Sequence, residues 1–321
     1  MTLNAKIALV LDMVARADRP PYHTLTPQEA RAAYEKSASV LEIASAPMFS
    51  VEDLAVPVRD GSFIRARLYC PTQPHWAEPL PALVYFHGGG FTLGSVDTHD
   101  ALCRMFARDA RCAVLSVDYR LAPEHRFPTA VHDAFDAYAW LHAHASDYAI
   151  DPARLAVGGD SAGGTLAAVC AVLARDAGMA PVLQLLIYPG TCGHQDTPSH
   201  ARLAEGYLLT AKTIQWFFNL YVRNAEDRDD WRFAPLDGKR GAPDFGGLAP
   251  AWIGVAEYDP LVDEGEAYAR KLRDAGNAVT LVRYAGVIHE FFKMGGFVED
   301  ARHAQADAAQ ALRRAFGIDD D

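Results

Sequence analysis

The strongest candidate for chemistry in the sequence is a serine flanked by glycines, at residues 158–164 (GGDSAGG). The core of this stretch, G-x-S-x-G, places Ser161 between a short apolar run and a nearly all-apolar helical run that ends at Gly178. A strand that turns directly into a helix needs a strained bend, and glycines beside it remove the Cβ atoms that would clash. The pattern predicts that the Ser161 hydroxyl projects above a sheet edge, where it could attack a carbonyl carbon.

The bare five-residue pattern also arises by chance in glycine-rich turns. A serine that attacks a carbonyl needs three further parts: a base, an acid that orients the base, and amide donors for the negatively charged oxygen. The functional hypothesis therefore depends on finding these parts elsewhere in the chain.

Amide donors are predicted at residues 88–90, three consecutive glycines that follow a predicted strand and His87. Glycines at the carboxyl end of a strand let the backbone approach a ligand closely. We therefore predict an oxyanion hole made of the amides of Gly88, Gly89 and Ala162. The alternative is that the glycines serve only a tight turn. We expect His87 to be structural, because it precedes the serine in the chain.

Asp259 and His289 are the candidates for the acid and the base, since a serine on such a bend is followed in the chain first by the acid and then by the histidine. Asp259 lies where a predicted strand gives way to a loop. We expect Asp263 and Glu264 to be charges at the start of a helix. His303 falls in a helical stretch near the C-terminus, whereas His289 lies in the loop after the last predicted strand.

The elements that position these residues follow from short apolar runs separated by helical segments. Such a rhythm predicts a parallel sheet covered by helices on both faces, which is the α/β fold class. Two β-rich runs around Asp60-Gly61, at residues 51–58 and 63–69, predict an antiparallel pair that opens the sheet. The later strands are predicted at residues 82–86, 113–117, 154–158, 182–187, 251–255 and 279–284.

Two regions interrupt this rhythm. The N-terminal region is predicted to be helical, with a capping box of Thr26 and Glu29 that starts a helix running to about Leu41. About sixty residues after Tyr188 lack a strand, which is too long for an ordinary crossover. This insertion contains an aromatic-rich helix with Thr210 as its N-cap. The aromatic residues could simply form core, but insertions after the strands of an open sheet lie over its carboxyl edge, where ligands bind.

The two regions together predict a lid over a hydrolytic core. The predicted division is residues 1–50 for the N-terminal part of the cap, 51–189 for the first part of the core, 190–249 for the cap insertion and 250–321 for the second part of the core.

Composition argues against several other classes of function. The formal net charge of −11 disfavours nucleic acids and stable association with anionic membranes. Asp12 ends the N-terminal apolar run too early for a signal peptide, so we expect a cytoplasmic protein. The five cysteines show no C-x-x-C spacing and are expected to be reduced thiols. We expect no cofactor and no metal, because even His142-x-His144 is predicted to lie on a solvated helix face.

With these residues placed, the sequence resembles the hormone-sensitive-lipase-like family of bacterial α/β-hydrolase esterases. The family's motifs occur in its order: HGGG at 87–90, DYRLAPE at 118–124, GDSAGG at 159–164, DPL at 259–261, and His289. The resemblance implies an eight-stranded hydrolase core, a helical cap, and carboxylesterase activity on small-molecule esters with short to medium acyl chains. It also implies the GDSAG branch of the family, and a monomer or a homodimer through the last strand and helix.

Two residues depart from the family pattern. Val262 stands where the family often has arginine, and Glu290 follows His289 where glycine is usual. A charged side chain at 290 is expected to alter the orientation of the imidazole or to narrow the pocket. The GGG loop is similar to that of hydrolases that accept esters of tertiary alcohols.

Other functions stay open at this point. An amidase, a formamidase or a deacetylase would use the same three side chains. A haloalkane dehalogenase is disfavoured because it needs a carboxylate in place of Ser161. A non-catalytic ligand receptor on this fold, as the plant gibberellin receptors are, would be expected to lack one of the three side chains.

Overall fold

Eight strands form one sheet in the computed structural model, which describes residues 2–318. The strands are β1 Ser50–Pro57, β2 Phe63–Cys70, β3 Leu80–Phe86, β4 Ala113–Val117, β5 Ile150–Asp160, β6 Gln184–Ile187, β7 Ala251–Tyr258 and β8 Val279–Ile288. Their order is β1-β2-β4-β3-β5-β6-β7-β8, in which β2 runs antiparallel to both neighbours and the other pairs are parallel. The predicted α/β class and the mostly parallel sheet are confirmed, with shifted ends for several strands.

Helices cover both faces of the sheet. Their bounds are α1 Ala5–Arg16, α2 Pro27–Ser37, α3 Asp100–Asp109, α4 Thr129–His144, α5 Ala162–Asp176, α6 Pro198–Arg202, α7 Ala211–Tyr221, α8 Val262–Asp274 and α9 Glu299–Phe316. Helices α4, α5 and α8 pack in one hydrophobic core, and α1, α3 and α9 pack in a second. Successive side chains of β3 alternate between the two cores, since a strand points neighbouring residues to opposite faces.

A third, smaller cluster lies apart from both cores and joins α2 to α7. It is formed by Ala30 and Tyr34 of α2, Phe217 of α7, and Leu93, which follows the glycine triplet. The N-caps predicted for these helices are confirmed. Thr26 and Glu29 form the capping box of α2, and Thr210 accepts a hydrogen bond from the amide of Thr213 at the start of α7.

Helix α2 is shorter than predicted, because it ends at Ser37 and not near Leu41. The residues after Ser37 turn onto the loop that follows His289. There the amide of Gly296 donates to the Leu41 carbonyl at 2.9 Å. No local sequence pattern predicts this tertiary contact. The residues that make it are those predicted to form the last turn of α2.

Two further properties of the described residues concern membrane-spanning helices and the cysteines. Within residues 2–318, no helix combines the length and the apolar character needed to cross a membrane. The five cysteines, Cys70, Cys103, Cys112, Cys170 and Cys192, are free and buried.

Candidate active site

Ser161 occupies the bend between β5 and α5, with φ 54° and ψ −121°. A positive φ is strained for a residue with a Cβ and costs on the order of 1–3 kcal/mol, so the surrounding structure must hold it. The Ser161 amide donates to the Ile187 carbonyl at 2.9 Å. A Cβ at Gly159 would collide with the backbone of Gly163, and one at Gly163 would collide with the carbonyl of Phe86. The two glycines of G-x-S-x-G are therefore required by backbone packing.

Three side chains meet at the carboxyl edge of the sheet. Ser161 follows β5, Asp259 follows β7 and His289 follows β8, and parallel strands deliver the residues after them to one edge. Ser161 Oγ lies 3.0 Å from His289 Nε2, and His289 Nδ1 lies 2.6 Å from Asp259 Oδ2. The other oxygen of Asp259 accepts from the Leu261 amide at 2.9 Å, which fixes the carboxylate. The structure thus brings together the three side chains predicted from the sequence.

The surroundings of His289 favour its role as a proton acceptor. The ring is 4% exposed, and burial alone would lower its pKa. The Asp259 carboxylate outweighs that effect, with smaller contributions from Glu290 and Asp160, so the pKa of His289 is raised above its ordinary value. Because Nδ1–H donates to Asp259, the neutral ring presents the lone pair of Nε2 to the Ser161 hydroxyl.

Asp263 and Glu264, which were not predicted to be the acid that orients His289, have other partners. Asp263 and Glu264 lie in the first turn of α8, as predicted, and Asp263 accepts from the Ser199 amide at 2.7 Å. Glu264 also has a role that the sequence did not predict. Its side chain is buried, accepts from the Cys192 amide and lies 3.1 Å from His200 Nε2. Burial raises its pKa, and the contacts show that it anchors the start of the insertion to α8.

The glycine loop after β3 lies beside Ser161, but its amides are not equivalent. The Gly88 amide donates to Asp160 Oδ1 at 3.0 Å. Within residues 2–318 the amides of Gly89 and Ala162 meet no protein acceptor. The oxyanion role predicted for Gly88 conflicts with this geometry, because one N–H cannot donate at full strength to Asp160 and to a substrate oxygen. Gly89 has φ 120°, a backbone conformation for which glycine is suited.

Asp160 is the residue whose importance the sequence did not reveal. It is buried, accepts from Tyr85 Oη at 2.7 Å as well as from Gly88, and lies 3.4 Å from His99 Nε2. Because Asp160 directly precedes Ser161, this contact ties the glycine loop to the end of β5. One signal was present, since an acidic residue that follows the buried run 155–159 of β5 needs a polar partner.

His87 is structural, as predicted. It is buried, its Nδ1 lies 2.8 Å from the Gly88 carbonyl, and its ring stacks on Tyr119 with centroids 4.3 Å apart. Burial holds the pKa of His87 well below its ordinary value, so the ring is neutral near pH 7. His303 lies exposed on α9, where its Nε2 is 3.8 Å from Glu299.

A cavity of about 1020 Å³ opens above Ser161. Its wall is mostly apolar and comes from α1, α2, α7 and the glycine loop, while Ser161 and His289 supply its reactive edge. The residues of the wall that carry charged side chains are Arg19, Lys36, Glu205, Lys212, Glu264, Glu290 and Lys293. Within the described part of the chain, no group of three or more His, Cys, Asp or Glu side chains is placed to hold a metal ion.

Comparison with known proteins shows which family the chain resembles. A family model described as the alpha/beta hydrolase fold matches residues 83–293. The ethyl acetate hydrolase of Pseudomonas putida is 42% identical over 320 residues, which cover 98% of this chain and 99% of that protein. The carboxylesterase NlhH of Mycobacterium tuberculosis is 40% identical over 271 residues, which cover 84% of each chain.

A solved structure extends the likeness to the whole fold. The hyperthermophilic esterase of the archaeon Pyrobaculum calidifontis superposes with a TM-score of 0.91 at 40% identity, covering 98% of this chain and 99% of that one. The chain therefore belongs to the α/β-hydrolase family, and within it to the hormone-sensitive-lipase-like carboxylic ester hydrolases.

Proposed function

We propose that this protein hydrolyses small carboxylic esters through an acyl-enzyme formed on Ser161. His289 is the general base and Asp259 the acid that orients it. The observation that carries the proposal is the continuous hydrogen-bonded chain from Ser161 Oγ through His289 to Asp259, at 3.0 and 2.6 Å. Those distances fall in the range at which proton transfer to a base is efficient.

The reaction proceeds in two halves. As Ser161 Oγ bonds to the ester carbonyl carbon, His289 Nε2 takes its proton, and Asp259 stabilises the imidazolium. The imidazolium then protonates the departing alkoxide, which leaves as the alcohol and gives the acyl-enzyme. In the second half water attacks the acyl carbon, His289 takes a proton from the water, and Ser161 leaves with that proton. The products are one alcohol and one carboxylic acid.

The oxyanion of each tetrahedral intermediate is assigned to the amides of Gly89 and Ala162. Neither donor meets an acceptor among residues 2–318, and Ala162 is the first residue of α5, where the helix dipole favours negative charge. The Gly88 amide, which donates to Asp160, holds the loop in place. Each donor in such a hole is worth about 3–4 kcal/mol in the transition state.

The cap and the cavity define the proposed range of substrates. Residues 1–50 and 190–249 are proposed as the cap, since α2 and α7 pack against each other in the third cluster and line the cavity. The apolar wall suits esters with short to medium acyl chains. The relative from Pseudomonas putida is named for ethyl acetate, which supports a small ester as substrate.

The main competing activities use the same side chains. An amidase, a formamidase or a deacetylase differs in the leaving group, and the GGG loop suggests esters of tertiary alcohols as an additional substrate class. A non-catalytic receptor has least support, because Ser161, His289 and Asp259 are all present and hydrogen-bonded.

We expect p-nitrophenyl esters from acetate to dodecanoate to be hydrolysed, with kcat/KM highest among the shorter members. A matched ester and anilide of the same acyl group separates the activities, since the ester should be turned over much faster. Faster cleavage of the anilide would favour the amidase. Firm ligand binding with no turnover of any activated ester would favour the receptor, and no turnover of a tert-butyl ester would exclude the tertiary-alcohol class.

The pH dependence of kcat/KM follows from the raised pKa of His289. Only the neutral imidazole can take the serine proton, so kcat/KM should fall as the pH is lowered through the folded pKa. Because Asp259 raises that pKa, the midpoint should lie above the ordinary value of about 6.5. Initial rates at constant ionic strength between about pH 5 and 9 test this expectation. A kcat/KM that is constant across the range would exclude His289 as the base.

A further inference from the structure

Helix α2 lines the cavity and is fastened to two loops by two neighbouring side chains. The first, Arg31, donates through Nε to the Thr92 carbonyl at 2.9 Å and through Nη2 to the Ala122 carbonyl at 2.7 Å. The same side chain pairs with Glu124 at 2.6 Å. Thr92 follows the glycine triplet, so Arg31 fastens α2 to the loop that carries the amide of Gly89.

The second, Tyr34, fastens the same helix to the loop that carries His289. Tyr34 lies three residues after Arg31 and is therefore its neighbour on the helix surface. Its hydroxyl donates to Glu290 Oε1 at 3.2 Å, and Glu290 directly follows His289. The Tyr34 ring is 5% exposed and packs in the small cluster with Phe217 and Leu93.

The segment after α2 lies on the same loop. Lys293 Nζ is 3.3 Å from Glu42 and 3.4 Å from Tyr34 Oη, with both charged side chains 7% exposed. The Gly296 amide donates to the Leu41 carbonyl at 2.9 Å, and a Cβ at Gly296 would collide with the Glu42 carbonyl. The two chain segments therefore touch along their backbones, and Tyr34–Glu290 is the contact nearest to His289.

The backbone of Glu290 is strained. It adopts φ 64° and ψ 4°, the left-handed conformation that favours glycine, and opens the short helix Phe291–Lys293. A glutamate there needs a compensating role, and its carboxylate accepts the Tyr34 hydrogen bond and contributes to the raised pKa of His289. The half-buried carboxylate also lines the cavity, beside His289.

We propose that Tyr34 and Glu290 are positioning residues that latch helix α2 over Ser161 and so determine how tightly the cavity binds its substrate. The inference deepens the proposed function, since it concerns substrate binding at that same site. Neither side chain moves a proton in the reaction. Their loss should therefore change KM and leave kcat on the alkaline plateau of its pH profile nearly constant, although loss of the Glu290 carboxylate should also lower the pKa of His289.

Tyr34→Phe keeps the ring in its cluster and removes only the hydroxyl. Glu290→Gly removes the acceptor and relieves the backbone strain. Each should raise KM for a p-nitrophenyl ester about 3- to 10-fold, with kcat within about twofold of the native value. The double variant should be no worse than either single variant, because both changes remove the same hydrogen bond. Glu290→Gln keeps an oxygen acceptor for the Tyr34 hydroxyl, so its KM should stay near the native value.

Tyr284→Phe is the matched control, because it removes another tyrosine-to-carboxylate bond, that of Tyr284 Oη to Asp307 at 2.6 Å, on β8 and α9 away from the cavity. It should leave KM unchanged. A native KM in Tyr34→Phe and Glu290→Gly, a multiplicative effect in the double variant, or a KM in Glu290→Gln as high as in Glu290→Gly would each overturn the latch.

Hydrogen–deuterium exchange tests the latch without any substrate. Amides at residues 34–42 should exchange faster in Tyr34→Phe and Glu290→Gly than in the native protein, and at the native rate in Tyr284→Phe. Unchanged exchange in the first two variants would overturn the latch whatever the activity. Native rates of p-nitrophenyl ester hydrolysis by Ser161→Ala would instead overturn the proposed function. The failure of the latch and the failure of the proposed function are therefore distinguishable.

Discussion

Replacing Ser161 with alanine is expected to lower kcat for ester hydrolysis by roughly 10⁶-fold, which is the scale found when the nucleophile of a serine hydrolase is removed. The Ser161 hydroxyl is the group that His289 Nε2 faces at 3.0 Å, and no acyl-enzyme can form without it. The remaining rate should come only from binding and from the amides of Gly89 and Ala162. Stopped assays with p-nitrophenyl acetate at high enzyme concentration measure this residual rate.

The fold should survive this substitution. Alanine has the Cβ of serine, so the strain at φ 54° is unchanged and the backbone contacts of the bend are kept. Ser146→Ala, at an exposed serine far from the cavity, is the control for the same chemical change. A Ser161→Ala protein that melts like the native one and still hydrolyses esters at more than about a hundredth of the native rate would contradict the nucleophile assignment.

Replacing Asp259 with asparagine is expected to lower kcat by about 10⁴-fold. The carboxylate accepts the Nδ1–H of His289 at 2.6 Å and thereby leaves Nε2 free to take the serine proton. An asparagine amide turned toward His289 would donate to Nδ1, so the imidazole would carry its proton on Nε2, facing Ser161. Asparagine has nearly the shape of aspartate. The fall in kcat therefore comes from the wrong tautomer of His289 and from the missing negative charge.

Asp263→Asn is the matched control for that variant. Asp263 lies in the same segment and accepts from the Ser199 amide at 2.7 Å, but it does not contact His289. Its replacement should change stability slightly and leave kcat nearly native. Equal losses of kcat in Asp259→Asn and Asp263→Asn would mean that the segment, and not the Asp259 carboxylate, supports the reaction.

The sequence predicts the fold well, and it predicts which three side chains the structure brings together, because both depend on short-range patterns. Apolar runs of strand length alternate with helices, which defines a parallel sheet, and the residues after parallel strands share one edge. Ser161, Asp259 and His289 each come shortly after such a run in the sequence and directly after a strand in the structure. Their meeting within hydrogen-bond distance therefore follows from the order of the elements.

The contacts that the sequence did not reveal are made between segments distant along the chain. Asp160 engages the amide of Gly88, which reduces the predicted set of oxyanion donors, and Glu264 is buried against the insertion. Neither contact leaves a periodic signal, because each depends on how two loops are packed. The sheet orders the loops, but tertiary packing decides which of their polar groups face each other.

The N-terminal region illustrates the same limit. The capping box at Thr26 correctly predicts where α2 begins, since capping is a local interaction. The end of the helix and its position over the cavity depend on contacts with distant residues, namely Arg31 with Thr92 and Tyr34 with Glu290. The sequence marks Glu290 as unusual, and the structure supplies its partner.

The central claim is that an acyl-enzyme forms on Ser161. It is tested most directly by quenching the protein in acid during turnover of a p-nitrophenyl ester, measuring the mass of the protein and mapping its peptides. The account predicts one acyl group, located on Ser161, that appears with the initial burst of p-nitrophenol and is absent from Ser161→Ala. An acyl group on another residue, or steady turnover by the native protein with neither a burst nor an adduct, would contradict it.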